Sequence, residues 1–242
     1  MSEGNSGKRG GRRRGLRYGI IFGAIPAVLA IGILCFQDRQ YALISAAAAV
    51  LSCVPFFLAF ERRNAHVKEL VLLAVMTALS VAGRIAFAFV PGFKPVTAIV
   101  VITAMSFGGE AGFLTGALSA VLSNFYFGQG PWTPFQMFIW GLIGFFAGLL
   151  GQRLKRSRVL LFLYGILAGV LFSLWMDIWT VLWQDGFFNF RRYGAAVVSA
   201  LPFMAVYAAS NVIFLFLLAK PMGEKLERVR IKYGLMEPAD KA

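Results

Sequence analysis

Charged residues, histidine and cysteine are scarce in this chain, and each shortage excludes certain classes of protein or site. Only 14% of the 242 residues are charged and 59% are apolar or aromatic, with a mean hydropathy of +0.72, more than a water-soluble surface carries. The only histidine is His66, so neither a Ser/His/Asp triad nor an HExxH zinc site can be built. Cys35 and Cys53 both lie in apolar stretches, where we expect small hydrophobic residues rather than a disulfide.

Motifs of ATP hydrolysis and of covalent hydrolysis are also missing. The sequence has no GxxxxGK followed by Ser or Thr, which excludes a P-loop motor, and no GxSxG nucleophile elbow. Glu110 and Asp177 could form an acid pair, but we place Glu110 at a cytoplasmic turn and Asp177 near the outer end of a span. We therefore predict no catalytic residue, no metal and no cofactor.

Long apolar runs fill the sequence instead. A helix of about 20 residues crosses a hydrocarbon core of roughly 30 Å, and the apolar runs here show no alternation of the kind that barrel strands require. We therefore predict an all-α membrane protein with about eight transmembrane helices. The predicted spans are residues 15–36, 41–60, 68–90, 95–108, 111–127, 134–151, 158–183 and 194–219.

The basic residues predict the orientation of these spans. Nineteen of the 24 Lys and Arg lie in the two terminal tails and in the connections around 61–68 and 153–158, which eight crossings place on one side. The positive-inside rule then predicts that both termini lie in the cytoplasm. The run from Lys8 to Arg14 is explained as a topology anchor, so we expect no nucleic-acid partner. The first span is long for a secretory signal, and we expect it to remain uncleaved.

Polar residues inside the spans divide the chain. The first two spans have almost none at their centres, whereas the later six contain Arg84, Asn124, Asp177 and Asn211. Such residues inside a membrane mark functional sites. We therefore predict a basic cytoplasmic tail (1–14), an accessory helix pair (15–60), a functional six-helix domain (68–220) and a cytoplasmic tail (221–242).

Small residues recur four apart in three of the spans. Such stripes let helices approach closely. The stripes are Ala74, Ala78 and Ala82; Gly112 and Gly116; and Gly144 and Gly148. We expect the two glycine pairs to pack within the chain. Spacing alone leaves the alanine stripe open between internal packing and a docking face for a second membrane protein.

Polar and aromatic residues concentrate in the three outward connections, which predicts a ligand site there. The loop with Gly128, Gly130, Pro131 and Pro134 is typical of a shaped binding loop. Aromatic faces with Asn and Gln amides suit a flat or ring-containing neutral solute. The candidate substrate-binding residues are Arg84, Lys94, Asn124, Tyr126, Gln129, Trp132, Thr133, Gln136, Trp140, Asp177 and Trp183.

Helix periodicity sharpens this prediction in the fifth and seventh spans. At 100° of rotation per residue, residues three or four apart fall on one face of a helix, and two polar stripes of this kind run toward the outer loops. The stripes are Thr115, Ser119 and Ser123; and Ser173, Asp177, Thr180 and Gln184. Trp175 and Trp179 face elsewhere and are read as membrane-belt or packing residues. Arg84 and Asp177 have matching depths, which indicates either a helix-tying ion pair or direct contact with the ligand.

The segment from Ala74-Val-Met-Thr-Ala78 through Gly83-Arg84 to Asn124-Phe-Tyr-Phe-Gly-Gln-Gly-Pro-Trp-Thr-Pro resembles the S component of energy-coupling factor (ECF) transporters, over roughly residues 68–220. The resemblance implies six helices that bind a vitamin near the outer surface. It also implies a T component docked on the alanine stripe, two ATPase subunits that use the ATP, and toppling of the S component, with the Pro91 to Pro95 loop as a gate.

The additional N-terminal helix pair departs from the six-helix pattern, and the role of that pair is left open. The Gly-Pro-Trp loop is similar to S components assigned to cobalamin or related corrinoids, which makes a corrinoid the leading expectation among several vitamins. Two other functions are considered beside this one. They are an intramembrane lipid-processing enzyme that uses Asp177 and Arg84, and a scaffold protein with an empty pocket.

Overall fold

The computed structural model describes residues 67–233 together with residues 50, 51, 53, 54 and 57. The predicted N-terminal tail, the first span, most of the second span, His66 and the last residues of the C-terminal tail lie outside the described residues. All regular secondary structure in the described part is helical. The prediction of an all-α protein is therefore confirmed for this part of the chain.

Residues 67–233 form seven α-helices, and six of them match the third to eighth predicted spans. They are α1 (Val67–Ala86), α2 (Val96–Phe107), α3 (Gly109–Phe127), α4 (Thr133–Leu149), α5 (Gly151–Arg156), α6 (Arg158–Asp185) and α7 (Phe190–Tyr233). By length and hydropathy α1, α6 and α7 can each cross a membrane, and α2 and α4 are shorter apolar helices. This is the architecture of a multi-pass membrane protein.

Helix α2 lies at the centre of the bundle. Its only residue that is not fully buried is Met105, as expected for a helix that is apolar on every side. A single residue, Gly108, joins α2 to α3 with φ of 92°, a conformation that favours glycine. This turn places α3 directly beside α2.

The glycine pairs of α3 and α4 bring the backbones of these two helices into close contact. A Cβ atom added at Gly112 would lie 2.7 Å from the carbonyl oxygen of Gly144, and one at Gly148 would lie 2.2 Å from the backbone nitrogen of Gly109. Only glycine permits backbones to approach this closely. The prediction that both glycine pairs pack within the chain is confirmed.

Helix α7 continues beyond its predicted end at residue 219 and includes residues 221–233 of the expected cytoplasmic tail. The prediction ended where charged residues begin, but Lys, Glu and Arg are good helix formers outside the bilayer. A salt bridge of 3.6 Å joins Lys155 of α5 to Glu227 of α7, and the Lys68 ammonium lies 4.9 Å from the ring centroid of Tyr233. The end of α7 therefore contacts α5 and the start of α1.

The described part of the second predicted span contacts α3 and α4. Cys53 is buried in a cluster with Phe113, Ala117, Phe138 and Phe145, and Phe57 packs against the same cluster. Cys53 therefore has the packing role expected for a small hydrophobic residue.

Candidate functional site

Arg84 connects α1 to α3 near the end of both helices. Its Nη1 atom donates hydrogen bonds to Ser123 Oγ and, at 2.9 Å, to Asn124 Oδ1. All three residues are buried. Because α1 turns its polar residues inward, it brings the charged Arg84 side chain into the interior of the bundle.

The side chain of Asn124 extends this contact into a network that reaches α4. Its Nδ2 atom donates to Thr133 Oγ1 at 2.9 Å and to Gln136 Oε1 at 2.8 Å. Thr133 in turn donates to Gln129 Oε1 at 3.0 Å, and Gln129 donates to the carbonyl oxygen of Val121 at 2.8 Å. The structure thus brings together four of the predicted site residues, Asn124, Gln129, Thr133 and Gln136, around Arg84 and fixes the glycine-proline loop.

Lys94, in the connection between α1 and α2, lies among three aromatic rings. Its ammonium is 4.7 Å from the ring centroid of Tyr207, 5.7 Å from that of Trp140 and 5.8 Å from that of Phe172. The backbone of Lys94 is fixed by Ser210, which accepts from Lys94 N at 2.9 Å and donates to Lys94 O at 3.1 Å. We call Lys94, Trp140, Phe172 and Tyr207 the aromatic box.

We call the hydrogen-bonded set of Arg84, Ser123, Asn124, Gln129, Thr133 and Gln136 the Arg84 network. Trp140 lies between this network and the aromatic box. The guanidinium carbon of Arg84 lies 5.2 Å from the Trp140 ring centroid and 4.4 Å from that of Phe127. Trp140 is fully buried, and its ring stacks on Phe172 at 5.1 Å with an interplanar angle of 19°. Two cations therefore approach one indole ring, which is an arrangement that cation–π attraction favours.

Several buried polar atoms close to these groups have no hydrogen-bond partner among the described residues. Ser80 and Ser119 lie one helical turn below Arg84 and Ser123, and Asn211 follows Ser210 in α7. Of the seven such atoms among the described residues, five are Thr77 Oγ1, Ser80 Oγ, Ser119 Oγ, Trp140 Nε1 and Asn211 Oδ1, and the other two, Trp175 Nε1 and Asp177 Oδ2, lie on α6 outside the aromatic box. Buried polar atoms are nearly always paired, so such a concentration is typical of a site that a polar ligand completes.

The surroundings of Lys94 change its acid–base behaviour. Burial, and secondarily the Arg84 guanidinium, lowers the pKa of Lys94 to about 7. Both causes disfavour the charged ammonium. Near neutral pH the residue is therefore poised between its charged and neutral forms.

Asp177 does not join this site. The predicted ion pair with Arg84 is absent from the structure, because Arg84 donates to Ser123 and Asn124 instead. Asp177 lies five residues after Phe172 on α6, about 140° away around the helix at 100° per residue. Phe172 points into the box and Asp177 lies near Tyr193 of α7. Equal depth within the spans was therefore not enough to predict an ion pair between Arg84 and Asp177.

Three more predicted residues lie at the edge of the protein. The Tyr126 side chain is 65% exposed and Trp183 is 57% exposed. Trp132 packs against the cluster of Phe135, Trp179 and Leu182. Their roles in ligand binding stay predictions.

Trp175 and Trp179 belong to packing contacts, as expected from their helix face. Their rings lie 6.2 Å and 5.3 Å from that of Phe135. Trp175 also lines an apolar groove of about 500 Å³ between α4 and α6, which contains none of the Arg84 or Lys94 groups. This groove is separate from the aromatic box.

Phe172, Tyr207 and Ser210 were not identified from the sequence. All three lie in apolar spans whose composition does not separate them from packing residues. One signal was available for Tyr207, since it lies four residues before Asn211 and so on the same face of α7. An aromatic residue on the polar face of a span is a candidate for ligand contact.

The alanine stripe of α1 is exposed at all three positions, Ala74, Ala78 and Ala82. The opposite face of α1 carries the buried residues, including Leu73 and Met76. No described helix covers the stripe, so its three small side chains are open to contact from another helix.

Comparisons with known proteins identify the family. No curated protein and no solved structure gives a significant match. The family model of the ECF-type riboflavin transporter S component matches residues 64–228, which is more than half of the chain and contains the aromatic box and the Arg84 network. Subunits of this kind bind a transport substrate without a cofactor and are not enzymes, and the described residues contain no cluster of metal-ligating side chains. The chain belongs to the ECF-type riboflavin transporter S component family.

Proposed function

We propose that this subunit binds a flat-ring vitamin of the riboflavin type between α1, α3, α4, α6 and α7. The observation that carries the proposal is the aromatic box beside the Arg84 network. Trp140, Phe172 and Tyr207 offer ring faces, and Gln136, whose oxygen accepts a hydrogen bond from Asn124, offers its amide nitrogen at their edge. A fused ring with carbonyl and N–H groups along its border matches both features.

The loop of residues 128–134 favoured a corrinoid, whereas the family match favours riboflavin. The side chains of the box approach one another closely, with the rings of Phe172 and Tyr207 only 5.0 Å apart. A compact three-ring ligand fits between such groups with a smaller rearrangement than the much bulkier corrin ring. We therefore propose riboflavin rather than a corrinoid as the ligand, and both compounds are tested for binding.

The Phe87 to Pro95 connection is proposed as the gate. It carries Lys94 into the box and is fixed by Phe87 and Phe93, whose rings each lie 5.0 Å from that of Phe214. Release of these ring contacts would lift Lys94 away and open the site. This extends the expectation that the Pro91 to Pro95 loop controls access.

The partners proposed are a T component and two ATPase subunits, with ATP used by the latter. The basic residues around Lys68, Lys155 and Arg230 support a cytoplasmic position for the ends of α1, α5 and α7 in a bacterial plasma membrane. The opposite ends, with the aromatic box, then face outward.

Titration of the purified full chain with riboflavin and with cobalamin tests the proposal. We expect saturable riboflavin binding, weakened at least tenfold in Phe172→Ala because the stacked pair with Trp140 is lost, and similarly in Asn124→Ala. Phe203→Ala is the matched control, since this phenylalanine is 54% exposed on α7. Binding of cobalamin but not riboflavin would identify a corrinoid as the ligand. Binding of neither compound would reject a flat-ring vitamin as the ligand.

A further inference from the structure

Arg84 and Lys94 face no acidic side chain in the described part of the chain. Glu69 and Glu110 lie in the first turns of α1 and α3, while Arg84 and its partner Asn124 lie near the last turns, about 20 Å away at 1.5 Å per residue. The remaining acids are engaged or placed elsewhere: Asp177 lies near Tyr193, Asp185 pairs with Arg192, and Glu224 and Glu227 lie at the end of α7.

The groups that surround the two cations are neutral. Ser123 and Asn124 accept hydrogen bonds from Arg84, and Trp140 and Phe172 offer ring faces, but none of them carries a negative charge. The ionisable groups that act on the pair are the two cations themselves and the phenol of Tyr207. Arg84 is buried and Lys94 is partly buried, and two like charges in such surroundings without a counter-ion are costly.

We propose that the ligand supplies the missing negative charge, so that the site selects a flat-ring compound with an acidic group that contacts Lys94 and Arg84. The inference rests on the proposed function and goes further, because riboflavin itself is neutral. A phosphate or a carboxylate would each accept hydrogen bonds from an ammonium and a guanidinium. The aromatic box would hold the ring and the two cations would hold the acid.

The proposal predicts a pH dependence. In the ligand-free protein Lys94 loses its proton above about pH 7, and an anion beside it favours the protonated form. Binding of an acidic ligand above pH 7 must therefore take up a proton and weaken as the pH rises. The other charged or titratable groups that face Lys94 are Arg84 from α1 and Tyr207 from α7, and α3, α4 and α6 contribute none among the described residues.

Calorimetric titration of the intact purified subunit provides the test, with riboflavin, riboflavin 5′-phosphate and a 10-carboxymethyl flavin as probes. We expect an acidic flavin to bind at least tenfold more tightly than riboflavin at pH 6.5. By pH 8.5 that affinity should fall about tenfold, with proton uptake seen as a dependence on buffer ionisation heat. The phosphate and carboxylate probes show which acid the cations prefer.

Two variants separate the role of the charge from that of the fold. Lys94→Met should bring the ratio of acidic to neutral flavin affinity toward one and remove the proton uptake. Arg191→Met is the control, because Arg191 is an exposed cation away from the box, and it should keep both. A preference that survives in Lys94→Met would overturn the assignment.

The remaining outcomes also decide the question. Riboflavin that binds as tightly as both acidic flavins, without proton uptake, would reject the acidic ligand and leave the proposed function standing. A folded protein that binds none of the three flavins would reject the ligand class and this inference with it.

Discussion

Asn124 shows how one amide can organise a site in an apolar bundle. Its oxygen accepts from Arg84 and its nitrogen donates to Thr133 and Gln136, so both ends of the amide are used. Neither an aspartate nor a leucine could make all three contacts. The sequence marked Asn124 as important because an amide inside a span is rare, but it could not identify these partners.

Lys94 should make the stability of the ligand-free protein depend on pH. Between about pH 7 and its ordinary pKa of 10.5 the unfolded chain carries a proton on Lys94 that the folded protein lacks. The free energy of unfolding therefore rises with pH in this window, by up to about 1.4 kcal/mol per pH unit.

Thermal unfolding between pH 6.5 and 9 measures this effect. The midpoint of the wild-type protein should rise more steeply with pH than that of Lys94→Met. Lys225→Met, which changes an exposed lysine on α7, should keep the wild-type slope. Equal slopes for wild type and Lys94→Met would show that Lys94 is charged in the folded protein at these pH values.

At the scale of elements, the contact between α3 and α4 depends on glycine. A Cβ atom at Gly144 would lie 2.3 Å from the carbonyl oxygen of Gly112, which is backbone and cannot rotate away. Gly144→Ala should therefore separate the helices and lower the free energy of unfolding by about 1–3 kcal/mol, the usual range for overpacking.

Chemical or thermal unfolding of the purified variant tests this prediction. Gly194→Ala provides the comparison, because a Cβ there meets no atom within 4 Å. Equal stability of Gly144→Ala and wild type would mean that the two helices can move apart without loss.

The existence of the helices could be predicted from hydropathy because burial in lipid requires long apolar segments. Their boundaries were harder to predict where charge and helix propensity disagree. Residues 220–233 are charged and helical, and α5 contains only six residues, too few to give an apolar period. Helix propensity rather than a membrane pattern explains residues 220–233, and the Lys155–Glu227 salt bridge joins α5 to this part of α7.

At the scale of the whole molecule, the exposed alanine stripe of α1 gives the bundle one smooth side. Ala78→Leu should spare ligand binding, because Ala78 faces away from the Arg84 network, but should obstruct close approach of another helix. We expect a loss of co-purification with the T component of at least fivefold.

Co-expression with the T component and quantitative pull-down measures this loss. Ala205→Leu, at an exposed alanine of α7, serves as the matched control and should assemble normally. Normal assembly of Ala78→Leu would show that the T component docks on another side of the bundle.

The site as a whole could be predicted only in part. Arg84, Lys94, Asn124, Thr133, Gln136 and Trp140 were identified because polar or aromatic groups near the outer loops stand out in an apolar sequence. Phe172 and Tyr207 could not be separated from packing residues. Asp177 was assigned from its polar stripe on α6 and paired with Arg84 by depth, without knowledge of which way that stripe faces. Helix rotation is set by tertiary packing, which one sequence does not reveal.

Helix α7 gives the molecule a mechanical connection between its two ends. Its 44 residues span about 66 Å at 1.5 Å per residue, roughly twice the hydrocarbon thickness. Tyr207 in the aromatic box and Tyr233 beside Lys68 belong to the same rod, with Pro221 between them as a point where helices bend. We expect a small change in the tilt of α7 near Tyr207 to produce a larger displacement at Tyr233, because the displacement grows with distance along the helix.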